Sequence, residues 1–178
     1  SFRERLTKYV ETIKSKAFNG KTAAQVVLIS PIANENVKGV DAADMNNGNI
    51  KAYLKVIKEV AAEQKIGFVD AFTATEKAMA SPGNDLTMNG AHLNEKGYRL
   101  FAATVFEQLF GEDAPKLDEK VREAVVEKNR QHFFRYRPLN TFYYTGGRNR
   151  SYGYLDFLPA MRNFDIMTAN RDKRIHAL

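Results

Sequence analysis

The sequence predicts an α/β fold built on a parallel sheet, and two observations support this prediction. Two short apolar runs, residues 24–30 and 66–69, are rich in β-branched side chains and nearly continuous, as expected for strands buried on both faces. Stretches with helical periodicity alternate with these runs, which implies right-handed parallel crossovers in a layered fold. Two strands make a poor sheet on their own. Because Ser1 is not Met and already looks helical, we expect N-terminal strands of the same sheet to be missing.

Helices are predicted wherever apolar residues recur at helical spacing. The first covers residues 3–16 and the second residues 50–64, with a short third helix that begins at Thr73 or Thr75 and ends near Ala80. A fourth follows Asn94. The side chains expected to face inward are Leu6, Tyr9, Val10 and Ile13, then Ile50, Tyr53, Leu54, Ile57, Val60 and Ala61, then Tyr98, Phe101, Ala102, Val105, Phe106 and Leu109.

A polar loop at residues 33–48 follows the first strand. Loops at the carboxyl edge of a parallel sheet commonly carry binding residues, so this loop is a candidate for such a role.

The last 50 residues differ in composition from the rest of the chain. Residues 1–128 hold 18 basic and 18 acidic residues, whereas residues 129–178 hold nine basic and three acidic ones and therefore carry the whole net charge of +6. Ten of the twenty Phe and Tyr residues also lie there. We therefore predict two segments, residues 1–112 and a basic, aromatic-rich extension at residues 113–178.

The extension is predicted to be partly helical and partly irregular. A long helix runs from Leu117 to about Phe133, and the chain beyond Arg135 is expected to be mostly irregular, with a short helix at residues 159–170. Turns are expected at Gly146-Gly147 and at Gly153.

Several classes of site are disfavoured by composition. The chain has no cysteine, so a disulfide framework and thiolate metal ligands are unavailable. No apolar run approaches the roughly 18 to 20 residues of a membrane span. The three histidines, His92, His132 and His176, are too scattered to indicate a metal site, and we take the last two as structural or exposed. We therefore expect no metal and no cofactor.

His92 stands out because its loop is defined at both ends. It lies between the turn-forming pair Asn89-Gly90 and a helix for which Asn94 is the predicted N-cap. Such a loop suits a side chain that must point in a fixed direction. From spacing alone, however, a loop histidine without a chemical role is the commoner interpretation.

The segment Asn-Gly-Ala-His-Leu-Asn-Glu-Lys-Gly-Tyr at residues 89–98 resembles the last signature block of the SGNH (GDSL-type) hydrolases, Asp-Gly-x-His-Leu-x-x-x-Gly-Tyr. The resemblance includes the runs that end at Ser30-Pro31 and at Asp70, and it covers roughly residues 1–110. It implies a partial, doubly wound sheet of the flavodoxin-like type. It also implies ester hydrolysis by a Ser-His-Asp triad with His92 as general base and with no cofactor.

Two features depart from that family pattern. Asn89 stands where the family has the aspartate; its amide oxygen can accept the orienting hydrogen bond, but it has no charge to stabilise an imidazolium. A carboxylate from Asp85 or Asp70, a Ser-His dyad, and a plain turn role for Asn89 remain open. The blocks that supply the serine and the oxyanion hole do not occur. The resemblance therefore implies the C-terminal part of a domain, inactive by itself, whose partner is the missing N-terminal part.

The implied function is that of a serine carboxylic-ester hydrolase, an acyl esterase acting on acylated carbohydrate. The alternative is a non-catalytic carbohydrate-binding or interdomain module on a hydrolase scaffold, in which Asn89 marks a lost triad. These interpretations are separated by ester turnover, which only the first predicts.

The extension has three interpretations. It covers the hydrolase core, it binds carbohydrate or an anionic substrate through Tyr and Arg, or it binds a polyanion through Arg148, Arg150 and Arg171. Nucleic acid is disfavoured because no recognised binding motif accompanies these residues. The extension resembles the stretch after the SGNH domain in large multidomain bacterial proteins, which implies a docking or connecting role. The compartment is left open, although a periplasmic or secreted location fits that resemblance.

Overall fold

The computed structural model describes residues 1–137, Gly147 and residues 158–178. The described residues form six helices and a two-stranded sheet, in the order α1 (Phe2–Lys14), β1 (Val27–Ile29), α2 (Ala43–Gln64), β2 (Gly67–Val69), α3 (Ala71–Met79), α4 (Glu95–Phe110), α5 (Glu119–Tyr136) and α6 (Leu158–Ile175). They divide into two compact units, Ser1–Ala114 and Pro115–Leu178. The turns predicted at Gly146-Gly147 and at Gly153 lie outside the described residues, except for Gly147 itself. The aromatic residues between positions 138 and 157 also lie outside them.

The two strands pair in parallel, with Val27 opposite Gly67 and Ile29 opposite Val69. This confirms the parallel α/β arrangement predicted from the alternation of strands and helices. The prediction that β1 is buried on both faces is wrong, because Val27 and Ile29 are 41% and 43% exposed. Side chains alternate along a strand, so these two share the face opposite to that of Leu28. Within the described residues, that face of β1 is only partly covered.

The core of the first unit forms where helices α2 and α4 pack on the sheet, with α1 against α2 and α3 against α4. Its largest fully buried side chains are Val10, Val60, Val69, Phe72, Thr75 and Leu86. Three tyrosines predicted to face inward, Tyr9, Tyr53 and Tyr98, are instead 62%, 52% and 61% exposed. A tyrosine has an apolar ring and a polar tip, so it can stand at the margin of an apolar face and keep its hydroxyl hydrated. On α4, Gly97 and Thr104 are the buried residues.

Polar side chains explain two helix boundaries that differ from those predicted. Helix α2 begins at Ala43 rather than near residue 50, because the Asn36 amide oxygen accepts the Ala43 backbone N–H at 2.8 Å. Helix α3 begins directly after Asp70, whose carboxylate accepts the Thr73 backbone N–H at 2.9 Å. Helix α3 therefore starts before Thr73 and Thr75, the two predicted starting points, and Asp70 is its N-cap.

The second unit pairs helices α5 and α6. Three ion pairs join the two helices: Lys128 with Asp172 at 2.8 Å, Arg171 with Glu127 at 2.9 Å, and Arg135 with Asp165 at 3.1 Å. The short helix predicted at residues 159–170 is confirmed, and the observed helix is longer, Leu158–Ile175. The spacing of apolar residues underestimates the length of α6, because charged side chains supply much of its contact with α5.

The same polar contacts perturb two carboxyl groups. A hydrogen bond from Gln131, and then one from Arg171, lowers the pKa of Glu127 from its ordinary value. A hydrogen bond from Lys128 and the charge of that side chain lower the pKa of Asp172. Both carboxyl groups are therefore stabilised in the charged form.

Candidate active site

The turn that carries His92 is closed by backbone pairing on both sides. Thr87 and Leu93 form an isolated antiparallel bridge, and the Met88 N–H donates to the His92 carbonyl at 2.8 Å. The prediction that Asn94 caps helix α4 is confirmed, since its side-chain oxygen accepts the Gly97 N–H at 2.9 Å. The chain enters and leaves the turn at fixed points, and the His92 side chain between them is exposed.

The Asn89 side chain lies against the His92 ring. Its Oδ1 atom lies 3.1 Å from His92 Nδ1 and also accepts the backbone N–H groups of Ala91 and His92, at 3.2 and 3.0 Å. The two backbone donors establish that this atom is the amide oxygen, which can only accept. The hydrogen bond to the ring therefore requires a proton on Nδ1, and the neutral ring then carries its lone pair on Nε2.

In the described residues, neither of the two carboxylates considered as substitutes for the family aspartate bonds to the His92 ring. Both oxygens of Asp70 bond to Thr73 at the start of α3, one accepting its N–H and the other its hydroxyl, each at 2.9 Å. Asp85 is exposed, and its backbone carbonyl accepts the side chain of Asn94 at 2.9 Å. Among the described residues, Asn89 is the side chain hydrogen-bonded to the His92 ring.

The loop between β1 and α2 holds the His92 turn in place. The Glu35 N–H and the Asn34 side chain both donate to the Gly90 carbonyl, at 2.9 and 2.8 Å. The Glu35 carboxylate accepts the backbone N–H groups of Leu86 and Thr87. Sequence reasoning singled out this loop as a whole, but it missed Glu35. The available signal was its position after a strand, at the carboxyl edge of the sheet.

The other two histidines belong to the second unit. His132 is exposed and stacks edge-on against Tyr136 in helix α5, with ring centroids 5.1 Å apart. His176 is 80% exposed and lies 3.9 Å from a carboxylate oxygen of Asp172. Within the described residues, no three His, Asp or Glu side chains gather in a way that could hold a metal ion.

The comparison with protein families decides the identity of the first unit. The model of the GDSL-like lipase/acylhydrolase family matches residues 1–100, which include both strands and the His92 turn. The chain belongs to the GDSL-like lipase/acylhydrolase family. Neither a curated protein nor a solved structure matches it.

Membership of the GDSL-like family establishes the kind of function. The family consists of esterases and acylhydrolases, so ester substrates are expected. The resemblance of residues 89–98 to the last signature block is thereby confirmed at the level of the family. None of the helices in the described part of the chain has the length and apolar character needed to span a bilayer.

Proposed function

We propose that this chain supplies the histidine side of a serine-esterase active site, with His92 as general base and Asn89 as the residue that orients it. The observation that supports this is the 3.1 Å contact between His92 Nδ1 and Asn89 Oδ1. It leaves Nε2 as a proton acceptor on an exposed ring, as a general base requires.

In the proposed reaction, a serine hydroxyl attacks the ester carbonyl while His92 Nε2 takes its proton. The tetrahedral intermediate collapses to an acyl-enzyme, and the leaving alcohol receives that proton. A water molecule then gives a proton to His92 and attacks the acyl-enzyme, and His92 returns that proton to the serine oxygen as the acid is released. No serine among the described residues hydrogen-bonds to the ring, and Ser30 is buried with its hydroxyl accepting the Phe72 N–H at 2.9 Å. We propose that the nucleophile comes from a segment outside these 178 residues.

Within the described residues, β1 has a partly exposed face and an edge without a pairing strand, and both support the same proposal. Val26 and Ser30 direct their hydrogen-bonding groups toward β2, so the peptide groups of Val27 and Ile29 point to the opposite edge. We propose that a further strand of the domain, from outside the described residues, pairs at this edge and covers Val27 and Ile29. Their amide hydrogens would then exchange rapidly in these 178 residues alone and slowly when that strand is paired.

We also propose the finer assignments made from the sequence. Residues 1–112 act as the hydrolase part and residues 113–178 as a separate extension, which is supported by the compact units Ser1–Ala114 and Pro115–Leu178. An acylated carbohydrate is the substrate class we favour, because Tyr and Arg side chains of the extension can stack on sugar rings and bond their polar groups. Faster release of acetate from an acetylated oligosaccharide than from a simple aryl acetate is expected.

A non-catalytic module is the competing function, and the neutral side chain of Asn89 favours it. In that case the fold would bind an acylated glycan without cleaving it. Glycan binding that survives His92→Ala, with no turnover by the native protein, would support the module.

Ester hydrolysis by the natural protein that contains these residues tests the proposal. His92→Ala should abolish turnover, whereas His132→Ala, a matched change at an exposed histidine of α5, should leave it within about twofold. A native protein that hydrolyses esters equally well with and without the His92 imidazole would contradict the proposal.

A further inference from the structure

We propose that Glu35 is a positioning residue for His92: its carboxylate fixes the turn from which the imidazole is presented. This inference rests on the proposed function, in which His92 is the general base. It concerns a side chain 57 positions earlier in the sequence, in the loop that leaves the carboxyl end of β1.

Among the described residues, the partners of the Glu35 carboxylate are donors from the strand-like segment before the turn. Oε1 accepts the Leu86 N–H at 3.0 Å, and Oε2 accepts the Thr87 N–H at 2.8 Å together with the Thr87 hydroxyl. Leu86 and Thr87 are 1% and 7% exposed, so their N–H groups have little access to water. Loss of the carboxylate would leave these buried donors unsatisfied.

The connection continues from Thr87 into the turn itself. The Thr87 hydroxyl donates to Glu35 and accepts the Gly90 N–H at 2.9 Å, so one side chain links the carboxylate to the residue after Asn89. The Glu35 backbone adds a second link, because its N–H donates to the Gly90 carbonyl at 2.9 Å. Gly90 has φ of +87°, and a Cβ there would lie 2.7 Å from the Glu35 carbonyl oxygen. The loop between β1 and α2 and the His92 turn are therefore in close contact at Gly90.

The chemistry of these contacts requires a carboxylate rather than an amide. Both oxygens of Glu35 accept, and all their partners donate. A glutamine of the same shape would direct an NH₂ group at one of these donors. Glu35→Gln thus removes the function of the side chain with almost no change in volume. Glu63→Gln is a matched control, since Glu63 is an exposed residue of α2 that bonds to Arg3.

Nuclear magnetic resonance of this 178-residue chain tests the positioning role directly. In Glu35→Gln we expect the Leu86 and Thr87 amide hydrogens to exchange at least about tenfold faster, the loss expected for a hydrogen bond to a charged acceptor. The ring nitrogen shifts of His92 should move away from a single Nδ1–H tautomer. Glu63→Gln should change neither, and the amide hydrogens of α1 should be unaffected in both variants.

Two results would overturn the positioning role: unchanged protection of Leu86 and Thr87, or an equal acceleration at every amide, which would indicate general destabilisation. Thr87→Val serves as a second variant, because it removes the hydroxyl that links Glu35 to Gly90. It should reproduce the change in the His92 ring shifts, and unaltered shifts in this variant would likewise refute the proposal.

Turnover by the natural protein separates this inference from the proposed function. Displacement of a general base by about 1 Å lowers rates by up to roughly a hundredfold, so Glu35→Gln should lower kcat tenfold or more with KM within about twofold. A loss of the same size in Glu63→Gln would contradict a specific role for Glu35. Turnover that persists in His92→Ala refutes the proposed function, whereas the resonance measurements still decide whether Glu35 holds the turn.

Discussion

In the His92 turn, this chain departs from the family pattern at one position, Asn89. Asn89→Asp restores the aspartate that is usual there. In the structure, Asn89 Oδ1 accepts two backbone N–H groups and faces His92 Nδ1 at 3.1 Å. An aspartate has nearly the same shape, and all three partners are donors, so the turn should accept the carboxylate without rearrangement. The substitution therefore adds a charge beside the ring and changes little else.

The size of the effect follows from that distance. Two unit charges 3.1 Å apart attract by about 1.3 kcal/mol in the dielectric of water, and the exposed turn makes water the appropriate medium. The carboxylate should therefore stabilise the imidazolium by about this energy, which corresponds to roughly a tenfold change in an equilibrium. If the transition state carries the same charge, turnover should increase at least about tenfold.

The assay is ester turnover by the natural protein, with the ring nitrogen shifts of His92 in this chain as a check on its tautomer. Loss of the triad carboxylate in another fold lowers the rate by about 10⁴, so the gain here should fall between that figure and tenfold. Asn49→Asp is the matched control, since Asn49 is an exposed residue of α2 outside the turn. Unchanged turnover in Asn89→Asp, or an equal increase in the control, would refute the assignment of Asn89 as the orienting residue.

The remaining predictions concern stability. Gly97→Ala should destabilise the chain by about 1 to 3 kcal/mol, because its Cβ would overlap the Leu86 backbone oxygen, whereas Gly48→Ala in α2 meets open space and should stabilise it by up to about 1 kcal/mol. Denaturant unfolding measures both. The pKa values of Glu127 and Asp172 are lowered, so both carboxylates stabilise the folded chain. Their contribution to the free energy of unfolding is complete above about pH 5 and is lost as the pH falls toward the lowered pKa values. The thermal unfolding temperature should therefore fall slightly as the pH is lowered below about 5. This decrease should be smaller at high salt and absent in a Glu127→Gln, Asp172→Asn double variant.

The sequence predicts those parts of the site that depend on contacts between residues close together in the chain. Asn94 caps α4 through an N–H three residues away, and Asn89 bonds to groups two and three residues away. Such contacts follow from the preferences of asparagine in turns and at helix starts. The family resemblance adds the assignment of His92, which spacing alone does not favour.

The contacts that the sequence could not predict join distant segments. Glu35 meets Leu86 across 51 positions, and no periodic pattern marks an acceptor in a polar loop. The exposure of Val27 and Ile29 was missed for a related reason. An apolar run indicates a strand suited to burial on both faces, but burial also requires elements on both sides, and these are a property of the whole fold.

The attachment of the His92 turn to the β1 loop gives the proposed assembly a geometric consequence. Parallel strands lie about 4.8 Å apart, and their carboxyl ends meet at one edge of the sheet. A strand added at the free edge of β1 would therefore end next to Ser30 and the loop that carries Glu35. A serine at the end of such a strand would approach the His92 turn from the side to which Glu35 anchors it. The carboxylate that fixes the base would then also set its distance from the nucleophile, which is why loss of Glu35 should lower kcat more than it raises KM.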